Sequence, residues 1–332
     1  MDRAAAARAY LPAARQAIAA FPVRPADLTP VWISENVTFR VTDARDGAAY
    51  ALRLHRPGYH DLPALTSERV WTRALAAAGI GVPAGVRTLA GDDFAPVHIP
   101  HAGETRFAGL TAWTEGEVLA DRLEREGLGD APGRFRRLGA VIAALHTQAA
   151  GWTPPGGFTR HALDTAGLMG EAPWWGRFWE SPALSAAEQT ALGCARDRLA
   201  AALDRLGRDP AIFSLIHADL HPGNVLAADE RLTVIDFDDA AFGWLPYDLA
   251  VAVFHYRDRP EFPAIRAALL EGYRAARPLP ADVEALIPMF LLIRGLAVIG
   301  WLGQRPEIDP GAYMAELKAW VLAQAAAFEP PV

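Results

Sequence analysis

The sequence is poorest in cysteine, in lysine and in net positive charge. Cys194 is the only cysteine among 332 residues. That excludes a disulfide framework and a thiolate zinc site, and it fits a reducing, cytoplasmic compartment. Lys318 is the only lysine, the rest of the 32 basic residues being arginine, so any role that needs a cation beside a phosphate falls to a guanidinium. A formal net charge of −7 argues against a nucleic-acid partner, which normally meets a basic surface, and leaves cationic ligands open. A glycine-rich GxGxxG loop is also missing. The only glycine cluster, Gly79-Ile-Gly81-Val-Pro-Ala-Gly85, follows a helical pattern instead of joining a strand to a helix, and it reads as a helix terminator. Internal repeats and low-complexity linkers are absent too, so the parts of the chain join closely.

One long apolar run invites a membrane reading. Ala285 to Gly303 approaches the length of a span. Arg294 lies in its middle, however, where a charge in lipid is costly, and the expected state is a buried helix with no membrane partner. The Ala- and Arg-rich start, Met1 to Phe21, has helical spacing without a cleavage-like segment and reads as an ordinary amphipathic helix, not a transit peptide.

What is present is a globular composition, 52% apolar and 21% charged, in a chain long enough for two lobes. Val37–Thr42 and Tyr50–His55 alternate as strands around an Asp/Gly turn, which makes a hairpin. Residues 62–78 have helical spacing and end at Gly79. Short strands follow near 85–89, 95–99 and 107–113. Beyond Glu117 the pattern turns helical, at 134–148, 186–206, 262–276, 281–303 and 311–327. The expected fold is α+β: a small antiparallel-sheet lobe with one main helix over 1–112 (1–21 a leading helix), a connection at 113–117, and a mostly helical lobe over 118–332.

Two short apolar runs interrupt the helical part, and each delivers polar residues at its end. The first leads into His217-Ala-Asp219-Leu-His221-Pro-Gly223-Asn224. The second leads into Asp236-Phe-Asp238-Asp239. Four carboxylates and an amide at two strand ends are costly to bury without a cation or a donor network, and a divalent metal is the economical explanation. Asp-x4-Asn followed by a strand and another Asp is also the arrangement by which kinases set a base beside an acceptor hydroxyl and hold Mg²⁺ on ATP.

The segments HADLHPGNVL and VIDFDDAAFGWLPYDLA resemble the HGDxxxxN and IDxxD signatures of the aminoglycoside phosphotransferase/choline kinase superfamily, which has a two-lobe protein-kinase-like fold and includes homoserine kinases and bacterial stress-response Ser/Thr kinases. SENVTFRV, YALRLHRPGY and SERVWTRAL are similar to that group's nucleotide lobe, so the likeness runs from about Ser34 to Trp301. It implies an enzyme that uses ATP and Mg²⁺ to phosphorylate a hydroxyl. The acceptor is a small molecule in one branch and a protein Ser/Thr in the other, and the small molecule is the favoured reading. Carried over, the resemblance makes Asp219 the catalytic base, Asn224 and Asp236 the metal ligands, His217 a packing residue and Asp248 a cap on the catalytic loop.

For the nucleotide the candidates are Ser34, Glu35 and Asn36 in the phosphate-covering turn, Arg53 in place of the protein-kinase lysine, and Glu68 as the carboxylate that holds Arg53. Trp113 and Thr114 lie in the hinge, which would meet adenine. Asp238 and Asp239 could reach a second metal, face the acceptor or cap the turn. Trp174, Trp175 and Trp179 could cage an ammonium group, although packing is the simpler reading. Arg294 is expected to reach Asp238, Asp239 or the backbone beside them. Rival classes are thin: Ala240 departs from the dehalogenase-type phosphatase motif, no HExxH supports a zinc hydrolase, and a pseudokinase would lack one of Asp219, Asn224 and Asp236.

Overall fold

The structure, a computed structural model, describes residues 3–33 and 35–330. Contacts divide the chain into two compact units. The first comprises Met1–Glu117, Pro154–Thr159 and Leu226–Asp238; the second comprises Val118–Thr153, Arg160–Val225 and Asp239–Val332. A single crossing near 113–117 was the expectation; here two later segments, including Asp236 and Asp238, also group with the first unit.

The first unit opens with helix α1 (Arg3–Ile18) and continues as strands β1 (Pro25–Ile33), β2 (Val37–Asp43) and β3 (Ala49–Leu54), helix α2 (Leu62–Ala77), and strands β4 (Gly85–Val86), β5 (Phe94–Ile99) and β6 (Glu104–Ala112). The sheet order is β1-β2-β3-β6-β4, with β5 also on β6, and its pairs are antiparallel. Alternation along β2 sends Val37, Phe39 and Val41 into a core shared with Leu52, Leu54 and Leu110 and with Ala14, Ile18 and Phe21 of the leading segment. The hairpin register puts Arg53 opposite Thr38. Sequence reading missed β1. It carries Pro25 and Pro30 and is exposed along most of its length, so it shows neither periodicity nor strand composition, and its place at the sheet edge is what tolerates proline.

Asp61 caps α2 by accepting from the Ala64 N–H. Past its C-terminus Gly81 does more than end a helix: a Cβ there would stand 2.7 Å from the Leu232 carbonyl, and the Val234 N–H donates to the Gly81 carbonyl (2.8 Å). The glycine is therefore needed where the strand that leads to Asp236 runs closest.

A short strand, β7 (Glu117–Val118), lies where the chain passes into the second unit. The helices there are α3 (Leu119–Glu126), α4 (Ala131–Gly151), α5 (Thr165–Met169), α6 (Ala186–Leu206), α7 (Leu245–Val253), α8 (Phe262–Ala276), α9 (Ala281–Glu284), α10 (Ile287–Gly303) and α11 (Ala312–Ala327). Strands β8 (Ala162–Leu163), β9 (Phe213–Ile216) and β12 (Ala241–Trp244) form a small sheet in the order β8-β12-β9, while β10 (Val225–Ala228) and β11 (Arg231–Val234) neighbour each other. Helices α4 and α8 cross so closely that a Cβ on Gly139 would fall 2.0 Å from the Leu269 carbonyl, a spacing only glycine permits.

The apolar run expected as one helix over 281–303 is two, interrupted at Ala285 and Leu286, because Pro288 has no N–H to donate to the carbonyl of Glu284 four residues before it. Taken together the run is long and apolar enough to cross a membrane, but 72% of its most apolar window is buried inside the fold.

Candidate active site

In the second unit, β9 ends at Ile216 and the chain turns through His217, Ala218 and Asp219. Ala218 has φ +67°, a left-handed conformation that a non-glycine residue keeps only when its surroundings hold it. The holder is Asp248 on α7, wholly buried. It accepts the His217 N–H (3.0 Å) and the Ala218 N–H (2.7 Å), and His146 Nε2 on α4 lies 3.1 Å from the same carboxylate. His146 Nδ1 meets the Tyr273 hydroxyl at 3.0 Å. His217 is fully buried, and its Nδ1 accepts the Asp219 N–H (3.3 Å). It braces the turn.

Three donors converge on the Asp219 carboxylate. Arg294 Nη2 donates to Oδ1 at 2.6 Å, Asn224 Nδ2 donates to Oδ2 at 2.9 Å, and His221 Nε2 stands 3.5 Å from Oδ2. His221 Nδ1 accepts the Gly223 N–H (3.0 Å), which leaves the ring proton on Nε2, facing Asp219. Burial alone would push the Asp219 carboxyl up, but His221 and the Arg294 guanidinium outweigh it and hold it well below the usual carboxylate range. Asn224 spends its amide N–H₂ on Asp219 side-chain and backbone oxygens, so its Oδ1 is turned away and free to act as a ligand.

Arg294 thus corrects an expectation. Its hydrogen-bonded carboxylate is Asp219, and the charge of Asp239 acts on it as well. The tryptophans do not form one cage either. Trp174 stacks on His161 (3.6 Å), Trp175 is buried and stacks with Tyr247 (6.1 Å), and Trp179 lies under Arg196 (4.4 Å); each packs with a different neighbour.

In the first unit the chain leaves β11 through Asp236, whose φ is +62°. Phe237 anchors this turn by packing edge-on against buried Trp71 of α2 (5.4 Å, 90°). Arg53 Nη1 donates to Asp236 Oδ1 at 2.8 Å, and its Nη2 stands 3.6 Å from Asp238. Glu68, buried on α2, adds to the field that keeps the guanidinium charged. The direct bonds of Arg53 are therefore to the two aspartates, whereas Glu68 had been expected to hold it.

Asp238 ties this region together, accepting from Asn36 Nδ2 (3.1 Å) and Arg56 Nη2 (3.2 Å), while His60 Nε2 meets its carbonyl at 2.6 Å. Burial favours its neutral form, but the Arg53 and Arg56 guanidiniums hold the carboxyl well below the usual range. Asn36 uses its other end on the Arg56 N–H (2.8 Å). Both of its polar ends are engaged within the protein, which places it beside Asp238. Arg56, which also pairs with Glu35, and His60 were missed by sequence reading, since nothing in local spacing marks a residue whose partner lies 182 or 178 positions away. Ser34 lies outside the described residues. The Trp113 N–H donates to the Ala49 carbonyl (2.9 Å) and its ring sits under Arg40 (5.0 Å).

His55 is buried at the end of β3, edge-on to Phe94 (5.4 Å), and neither ring nitrogen has a hydrogen-bond partner among the described residues. Burial first, and then Arg53, push it well below 6.5. The folded protein keeps this ring neutral while the unfolded chain protonates it, so stability rises with pH through the window below 6.5 and falls on acidification by up to about 1.4 kcal/mol per pH unit. His55→Leu is expected to flatten the loss of urea stability between pH 7 and pH 5; an unchanged slope would contradict this.

Comparison with known proteins agrees with the geometry. Residues 27–286 match the phosphotransferase enzyme family. A microcompartment-associated aminopropanol kinase of known structure is 32% identical, covers 94% of this chain and 93% of its own, and superposes with a TM-score of 0.79. An amicoumacin kinase solved with AMP-PNP, Ca²⁺ and Ami also gives 0.79 over 100% of this chain and 98% of its own, at 21% identity, which speaks for the fold alone. The homoserine kinase of Gluconobacter oxydans is 31% identical over 204 residues, 54% of this chain and 60% of that protein. The chain thus spans less than two thirds of that curated relative. On the extent of the family match and the full-length likeness to the aminopropanol kinase, this chain belongs to the phosphotransferase enzyme family.

Proposed function

We propose that this protein transfers the γ-phosphoryl group of ATP to a hydroxyl of a small molecule, with Asp219 as the general base. The observation that carries the reading is the Asp219 carboxylate: ionised, partly open to solvent at 22% exposure, held by three donors, and set on a turn that a buried aspartate clamps from behind. Such a group can receive a hydroxyl's hydrogen bond and orient its oxygen for in-line attack without reorganising.

Asn224 and Asp236 are the proposed Mg²⁺ ligands. The fit is chemical: an amide oxygen whose N–H₂ is already spent, and an aspartate in a strained conformation that only its surroundings maintain. Among the described residues no group of three or more His, Cys, Asp or Glu gathers as a preformed cage. Mg²⁺ suits that, since it is commonly bound by one or two carboxylates plus phosphate oxygens and water. When bound, the ion neutralises charge on the transferring phosphates. Arg53, Trp113 and Thr114 complete the proposed nucleotide site, Arg53 contacting phosphate bidentately and the hinge atoms meeting adenine. Glu68 supports Arg53 through its field.

For the acceptor we propose a hydroxyl compound that also carries an amine. The names of the relatives, kinases of homoserine and of aminopropanol, support this, and a net charge of −7 favours a cation. A protein Ser/Thr acceptor is the second reading, supported only by the likeness to stress-response kinases. The test is ATP consumption against L-homoserine, 1-amino-2-propanol, ethanolamine, hydroxylated aminoglycosides and a Ser/Thr peptide. Turnover confined to the peptide, or none at all, would overturn the proposal.

Asn224→Ala and Asp236→Ala are expected to weaken Mg²⁺-dependent binding of a non-hydrolysable ATP analogue by at least ~10-fold, since even groups one shell beyond a metal are worth about 10- to 100-fold in affinity. Binding of the analogue without Mg²⁺ should change little. Calorimetric titrations that show the same Mg²⁺ dependence as the parent would remove the two residues from this role.

A further inference from the structure

Arg294 is difficult to explain by stability. It sits mid-way along α10, 9% exposed, among Phe290, Leu291, Ile293 and Leu296, and among the described residues its Nε has no hydrogen-bond partner. The hydroxyl of buried Tyr247 lies close enough to act on the guanidinium. A buried ion pair of this kind contributes little net stability, since replacing both partners by apolar groups of similar volume is often neutral or stabilising, whereas removing one partner leaves the other charge uncompensated. What the guanidinium does instead is bond one oxygen of Asp219.

We propose that Arg294 is a positioning residue for phosphoryl transfer, fixing the plane of the Asp219 carboxylate so that Oδ1 presents its one remaining acceptor site to the substrate hydroxyl. The inference rests on Asp219 as the group that faces that hydroxyl. A carboxylate offers about four acceptor sites. Asn224 and His221 address the two on Oδ2, and Arg294 takes one of the two on Oδ1, so a single site is left, on Oδ1. With Arg294 and Asn224 bonded to opposite oxygens, rotation about the Cβ–Cγ bond is blocked. The hydroxyl then lies along a fixed direction while its O–P bond forms and the bond from the γ-phosphorus to the bridging oxygen of ADP breaks. Its proton passes to Asp219 and on to solvent.

The experiment measures kcat and KM with Mg·ATP and either 1-amino-2-propanol or L-homoserine, together with thermal unfolding. Arg294→Met, which leaves the Asp219 carboxylate without its guanidinium, is expected to fold with a lowered melting temperature, leave KM for ATP within about twofold, and lose ~10²-fold in kcat, the scale of a misplacement of about 1 Å at a reacting group. Arg294→Lys keeps the charge without the fork and should lose about tenfold. Millimolar guanidinium chloride should restore part of the kcat of Arg294→Ala and none of that of Asp219→Asn. Full kcat in Arg294→Lys or in a folded Arg294→Met would overturn the proposal, as would a folded, inactive Arg294→Ala that guanidinium does not rescue, because the loss would then belong to packing. If Arg294→Met does not fold, the Lys and Ala variants decide. A parent enzyme inactive on both acceptors, or an active Asp219→Asn, would instead remove the underlying reading of Asp219.

Discussion

Asp219→Asn is expected to lose at least ~10²-fold in phosphoryl transfer and to bind Mg·ATP nearly as well as the parent. The substitution is isosteric. The amide oxygen can still accept from Arg294 or Asn224, so the turn should survive, and thermal unfolding should move little. What is lost is the negative charge and the capacity to take a proton, and general-base catalysis is worth about 10² to 10⁴ in rate. Proton bookkeeping gives the sign with pH. Arg294 and His221 hold the Asp219 carboxyl well below the usual range, so the parent's base is ionised across neutral and mildly acid pH, and kcat should show no loss from Asp219 itself between pH 8 and about 5. Near-parental turnover in Asp219→Asn, measured by coupled ADP release at saturating acceptor, would rule Asp219 out as the base.

The second large effect is expected in stability. Asp248→Ala removes the acceptor for two backbone N–H groups and faces His146 Nε2 with an empty site. All of this is buried, Asp248, His146 and His217 being fully so. Leaving a buried donor unsatisfied costs about 1–3 kcal/mol, and removing one member of a buried charged network about 3–5 kcal/mol. A loss of about 4 kcal/mol in urea unfolding is the expectation. Activity should fall further than the folded fraction accounts for, because Asp248 accepts the N–H of Ala218, held at φ +67°, and Asp219 follows it directly. Asp248→Asn keeps one acceptor oxygen and should lose roughly half as much stability. A melting temperature unchanged in Asp248→Ala would contradict the reading of Asp248 as the clamp on this turn.

Much of the architecture could be read from the sequence. The hairpin of β2 and β3, helix α2, and helices α6 and α8 show clear periodicity with local stop signals, a capping aspartate before α2 and a Ser185/Glu188 capping box at α6. These are short-range effects, and the chain carries them in consecutive residues. Where the expectation departed from the structure, the missing information was positional. β1 is a strand because it borders β2, against its own composition. The long apolar run breaks just before Pro288, whose effect on helix geometry is local but whose tolerance depends on packing. Segment 226–238 belongs with the first unit although it follows some hundred residues of the second.

By itself the sequence determined the family, the α+β class and the identity of the candidate residues, because the motif around Asp219 and Asn224 and that around Asp236 are each contiguous and their side-chain chemistry is specific. The tertiary structure alone decided who bonds whom. Arg294 could have compensated several carboxylates, and it took Asp219, 75 positions away. Arg53 took Asp236 across 183 positions, and Asn36 took Asp238 across 202. A buried charge must find a partner, and the sequence shows that need plainly. Which partner is nearest depends on how helices and strands far apart in the chain come to pack, and no local pattern of residues records that distance.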